Sequence, residues 1–114
     1  MEHAPARGDV WHIDPELVRG HEQGRPRPAV VVSADEFNMG PSTLVIVCLM
    51  TTSDRRIPSH VRIDPPEGGL REASFVLCEQ VRTISTKRLI SRFGALTPRS
   101  MAAIDERLRI LLDL

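Results

Sequence analysis

Arg27 lies between Pro26 and Pro28 in the stretch 19–33, RGHEQGRPRPAVVVS. The prolines fix their own φ and push Arg25 and Arg27 towards extended geometry. A guanidinium stiffened in this way at the mouth of a strand is suited to gripping a phosphate. Its planar fork matches phosphate oxygens and loses little freedom on binding. The competing reading for Arg27 is a pairing with Glu22 or a snorkelling side chain. Thr51 and Thr52 directly follow the apolar run TLVIVCLM. Their hydroxyls can donate to a phosphate oxygen or close a turn on their own backbone. His21 and His60 stand in polar surroundings, His60 just after Pro58 and near Arg55 and Arg56. An imidazole moves protons near neutrality, so His60 is a candidate helper in proton transfer. Glu79, Gln80 and Arg82 interrupt an apolar run, which expects at least one of them in a polar pocket or all of them on an exposed strand face.

Other chemistry is missing. There is no glycine-rich nucleotide loop, nucleophile elbow or paired-carboxylate signature. No His or Cys pair shows metal-ligand spacing, so neither a metal nor a cofactor is expected. Cys48 and Cys78 each sit inside an apolar run and read as buried, reduced core residues. Fifteen basic residues balance fifteen acidic ones, which argues against non-specific coating of DNA. Lys87 is the single lysine among those fifteen, so any anion site here is an arginine site. With one Trp, three Phe and no Tyr, a broad base-stacking platform is not the design.

The elements that must position these groups belong to one domain, residues 1–114, long enough for a real core. Asp9 to Ile13 reads as a first strand, followed by a long polar loop over 14–28 in which Gly20 and Gly24 let the chain turn. Ala29 to Ser33 is a second strand, and Ala34 to Ser42 reads as a loop. Thr43 to Met50 is a continuous apolar run and the best core strand. A polar loop over 51–58 leads to a strand, His60 to Ile63, and the turn DPPEGG. Ser74 to Ile84 reads as a long strand with Phe75, Leu77, Glu79 and Val81 on one face, and Leu89 to Phe93 as a further short strand. Thr97 is a helix N-cap with Pro98 at the first helical position, and Met101, Ile104, Leu108 and Leu111 recur at helical spacing. Short strands followed by a terminal amphipathic helix predict an α+β fold built on a small antiparallel barrel or strongly curled sheet. No apolar run approaches a membrane span and MEHAPARGDV has no apolar signal core, so no membrane association and a cytoplasmic location are expected.

Four segments in register resemble the MazF/PemK family of toxin endoribonucleases. They are RGDVWHIDP, RGHEQGRPRPAVVVS, VCLMTTSDRRIPSHVRI and SFVLCEQVRTISTKRLISRFGAL, and together they cover nearly the whole chain from Arg7. The resemblance implies an SH3-like barrel of the CcdB/MazF kind with a C-terminal helix, working as a homodimer. It implies sequence-specific, metal-independent cleavage of single-stranded RNA that leaves a 2′,3′-cyclic phosphate and a 5′-hydroxyl and so inhibits translation and growth. The family's catalytic arginine and threonine fall on Arg27 and Thr51. Its Glu-Gln loop pair falls on Glu22 and Gln23, and its groove-lining strand motif on Gln80 and Arg82. Arg25, Thr52 and His60 complete the expected substrate-binding set. His21 stands where the family often has serine. The implied partner is a MazE-like antitoxin with an acidic, flexible tail that folds on binding, through which the toxin would join a DNA-bound complex.

Choice of RNA sequence is expected from the loops over 14–25, 34–42 and 53–58, since single-stranded bases can be splayed and read on their edges. Two other readings remain open at this point. A CcdB-like gyrase poison would act through the tip of the helix, but the tip LRILLDL lacks the tryptophan of that pattern. A non-catalytic SH3-like binding module would need an aromatic groove for proline-rich peptides, which three Phe and one Trp do not furnish.

Overall fold

The computed structural model describes residues 4–14 and 26–114. Within them, six strands form one antiparallel sheet: β1 (Asp9–Ile13), β2 (Arg27–Val31), β3 (Leu44–Thr51), β4 (His60–Ile63), β5 (Ser74–Ser85) and β6 (Leu89–Ala95). Their order across the sheet is β4-β5-β3-β2-β1-β6, so β3 and β2 are its middle strands. A short helix, α1 (Asp35–Asn38), and the C-terminal helix α2 (Pro98–Leu112) complete the fold. The α+β expectation therefore holds, with a curled sheet whose hydrogen-bond ladder is left open between β4 and β6.

Burial on both faces of the sheet explains the continuous apolar runs. On one face Val10, Val30, Cys48, Met50 and Val76 pack against Met101 and Ile104 of α2. On the other face Trp11, Ile13, Ala29, Val31, Val47 and Leu49 form a second cluster with Leu77. Successive residues of β2 thus serve opposite cores, as strand geometry requires. Cys48 and Cys78 are free and buried on the helix side, as expected. The α2 cap is also as expected: Thr97 Oγ1 accepts from the Ser100 N–H at 3.2 Å, and Pro98 occupies the first turn.

Three expectations are corrected. The segment 34–42 is not all loop, because Asp35–Asn38 makes one helical turn held by the Asn38 N–H to the Ala34 carbonyl at 3.0 Å. Phe75, Leu77, Glu79 and Val81 do not share a face. The β3–β5 register jumps between Cys48 opposite Val81 and Met50 opposite Val76, and this bulge sends Val81 to the helix-side core. Leu111 does not extend the buried helix stripe: it is 43% exposed, like its neighbours Ile110 and Leu112.

The gap between β4 and β6 is spanned by the β4–β5 connection. Gly69 adopts φ +73°, and a Cβ added there would lie 2.2 Å from the Phe93 carbonyl oxygen of β6. Gly94 of β6 meets the same strap, where its Cβ would lie 2.8 Å from the Gly68 carbonyl carbon. Only glycine permits this close backbone crossing. The Glu67 carboxylate ties the strap to α2 by accepting from the Thr97 N–H at 2.9 Å and its hydroxyl at 3.1 Å. A Gly69→Ala substitution is expected to cost at least about 2 kcal/mol, combining left-handed backbone strain with a clash that parts the strap from β6. Urea unfolding of the variant beside wild type measures it.

Candidate active site

Residues of opposing strands at the same register share a face. Thr51 lies opposite Phe75, and Phe75 lies opposite Arg62 on β4. The recorded β2–β3 pairs end at Ala29 opposite Leu49, and two further steps set Arg27 opposite Thr51. Arg62, Phe75, Thr51 and Arg27 therefore form one row across β4, β5, β3 and β2. It runs along the rim of the second core, on the face of the sheet away from α2.

Both ends of the central pair are held. The Arg27 Nη2 donates to the Met50 carbonyl at 3.2 Å, which anchors the guanidinium one residue from Thr51. The Thr51 Oγ1 accepts from the Ser53 N–H at 3.2 Å. That bond fixes the hydroxyl's orientation and leaves its own proton to donate. Burial, and then the positive charge of Arg55, lower the Arg27 pKa from the ordinary arginine value. A guanidinium starts so far above neutrality that it stays charged. Arg55 thus adds to the positive field at the rim, which a bound anion relieves. At the β4 end of the row, Arg62 lies 5.6 Å from the Phe75 ring centre and donates to Asp64 at 2.8 Å, so its charge is already engaged.

Arg55 belongs to the 52–59 loop, whose turn is set by Asp54 accepting from the Arg56 N–H at 3.0 Å. The foot of the loop is clamped from two sides. The Arg107 Nε of α2 donates to the Pro58 carbonyl at 3.0 Å. The Glu79 carboxylate accepts from the Ser59 hydroxyl at 2.6 Å and from the His60 Nε2–H at 2.8 Å. Burial raises the Glu79 carboxyl, but the hydrogen bonds from Ser59 and His60 outweigh it and hold the group below its ordinary value. A depressed carboxyl contributes stability at neutral pH and loses it as pH falls through the lowered pKa. Glu79→Gln should accordingly be less stable than wild type at pH 7, by at most about 0.5 kcal/mol at so exposed a group. The two should converge once the pH drops well below about 4.3. Paired unfolding curves from pH 7 to pH 3 check this.

The expected site residues thus fall into groups. Arg27 and Thr51 come together, with Thr52 exposed one residue further on. Glu22, Gln23 and Arg25 lie outside the described residues, as does His21. Gln80 is exposed at the bulge, and Arg82 lies opposite Val47, four residues before Thr51 on β3. At strand spacing that is roughly 13 Å from the central pair. His60, the candidate helper in proton transfer, opens β4. Its side chain is 3% exposed, and its Nδ1 is buried without a partner among the described residues. With Nε2 on Glu79 and Nδ1 sealed, its ring presents no nitrogen to the rim. The charge of Arg55 acts on Arg27, and only the arginine pair at 55–56 hints at it in the sequence.

Residues 6–112 match the family described as PemK-like, MazF-like toxin of type II toxin-antitoxin system. The chain is similar to endoribonuclease EndoA of Bacillus subtilis, with 37% identity over 109 residues covering 95% of this chain and 94% of that protein. It is similar to endoribonuclease MazF9 of Mycobacterium tuberculosis, with 33% identity over 113 residues covering 95% of this chain and 96% of that protein. Among solved structures it resembles a mycobacterial endoribonuclease in complex with its cognate antitoxin. The TM-score is 0.76 at 26% identity, over 100% of this chain and 97% of that one.

Proposed function

Because the chain belongs to the PemK-like, MazF-like toxins of type II toxin–antitoxin systems, we propose that it is a sequence-specific endoribonuclease that cuts single-stranded RNA without a metal ion. The observation that carries this reading is the Arg27 guanidinium fixed on the Met50 carbonyl, one residue from Thr51. The row supplies no nucleophile of its own, and RNA does not need one. The 2′-oxygen of the ribose attacks the adjacent phosphorus, and the bond from phosphorus to the 5′-oxygen breaks. The products are a 2′,3′-cyclic phosphate and a 5′-hydroxyl.

The protein's part is to hold the ribose in line and to stabilise the charge that grows on the phosphorane. Arg27 neutralises it, with Arg55 adding to the positive field, while the Thr51 hydroxyl donates to an oxygen of the same phosphate. Donors fixed before the reaction reorganise little during it. Thr52 and Arg55 are exposed, so water reaches this edge, takes the 2′-hydroxyl proton and returns one to the departing oxygen. His60 acts at a distance, through Glu79 and the foot of the Arg55 loop. Gln80 and Arg82 grip the strand further along, and Glu22, Gln23 and Arg25 complete the substrate-binding set of this reading.

The same reading makes the protein a cytoplasmic homodimer that inhibits translation and growth until a MazE-like antitoxin lays an acidic tail along the groove. The exposed Ile110, Leu111 and Leu114 at the end of α2 are the apolar surface that supports pairing of two copies. The test is incubation of purified protein with a long RNA in EDTA, followed by analysis of the new ends. Cleavage should persist with 5′-hydroxyl ends, and a single 2′-deoxy substitution at the mapped step should leave that step uncut. A requirement for metal, or 5′-phosphate ends, would overturn the mechanism.

A further inference from the structure

Around the rim from Arg27 and Thr51, an open cleft of about 560 Å³ lies between the ends of β2, β3 and β5 on one side and β6 with its glycine strap on the other. That volume suits a ligand of nucleotide size. Pro28 and Thr52 on its wall are the chain neighbours of Arg27 and Thr51 and point to the other side of the strand ends, so a strand that passes round the sheet edge can reach both places. Phe93 lines the opposite side and is 41% exposed, an unusual state for a large apolar ring on a strand. His12 steadies the ring, with ring centres 5.5 Å apart. Arg71 projects from the strap at the mouth of the cleft and has no hydrogen-bond or ion-pair partner among the described residues. The neighbouring Arg92 is committed to Asp9 at 3.0 Å. Glu72 borders the same cleft and disfavours a second phosphate beside it. A ring available for stacking, an uncommitted guanidinium and a neighbouring carboxylate together suit a ligand with one flat base and one phosphate.

The geometry points to this cleft as a nucleotide subsite next to the cleaved step, stacking one RNA base on Phe93 and holding its phosphate at Arg71. The assignment rests on the ribonuclease reading above and adds to it a place where the enzyme grips a neighbouring residue of the substrate. Stacking of this kind tolerates many bases, so it contributes grip and register more than choice of sequence. The strap's close crossing at Gly69 and Gly94 is what sets Arg71 across from Thr52.

The test uses a synthetic RNA carrying the step that the protein cuts most readily, with abasic nucleotides placed singly at each of the positions flanking it. Wild type should lose about tenfold in kcat/KM when one adjoining base is removed. Phe93→Ala should lose about as much on the intact RNA, and nothing further on that abasic RNA. Arg71→Ala, a change at an exposed position, should weaken binding and reduce the salt slope by about one. If Phe93→Ala and wild type respond alike to every abasic position, or if Arg71→Ala leaves the salt slope unchanged, the subsite is wrong while the ribonuclease reading stands. If wild type leaves all RNA uncut, the ribonuclease reading falls and takes the subsite with it.

Discussion

Arg27→Ala is expected to lower the cleavage rate about a thousandfold, the upper part of the range for loss of a preorganised charge donor. Arg27 is held to the Met50 carbonyl before substrate arrives, so its contribution to the transition state is not diluted by reorganisation. RNA binding should fall far less, because the remaining phosphate contacts lie elsewhere along the strand. Single-turnover kinetics beside equilibrium binding to an uncleavable 2′-deoxy analogue separate the two effects. Arg27→Lys should recover less than a tenth of the lost activity, since a point charge cannot span two phosphate oxygens as the guanidinium fork does. Equal losses in binding and rate would reduce Arg27 to a general anchor.

Thr51→Val is expected to cost about a hundredfold in rate, the scale seen when one fixed donor is removed. Valine keeps the volume and branching that suit the end of β3, so the strand should persist. The Ser53 N–H loses its acceptor, but it lies in an exposed loop where water replaces it. Thr51→Ser retains the hydroxyl and should stay within about tenfold of wild type. A valine variant as active as wild type would show that the oxygen at position 51 only closes a turn.

The sequence made much of this legible because the informative signals were local. Helix α2 announced itself through Thr97, Pro98 and the spacing of Met101 and Ile104, and the structure places all four in those roles. The middle strands were visible because residues such as Val30 and Val31 are buried on opposite faces, which demands unbroken apolar stretches. What escaped depends on partners distant in the chain. His60 stands in a polar setting, and nothing near it tells that Glu79 will bury it against β5. The alternation in β5 gave no sign of the bulge at 77–80, because Val81 suits either face. Helix α1 has no side-chain cap, so Asp35–Asn38 lacked the usual opening signal. Gly68, Gly69 and Gly94 read as ordinary turn residues until the strap was seen to cross β6. The influence of Arg55 on Arg27 was hidden for the same reason, since it depends on where the folded loop carries its charge.

The strand order has a consequence for how such a protein can diversify. Arg27 and Thr51 sit on β2 and β3, each flanked on both sides, whereas Phe93 is on an outermost strand and Arg71 on a connection. Substitutions at the periphery can therefore change how a bound strand is held without disturbing the middle of the sheet. A lineage built on this plan can vary its outer strand and connections while its central strands stay constant.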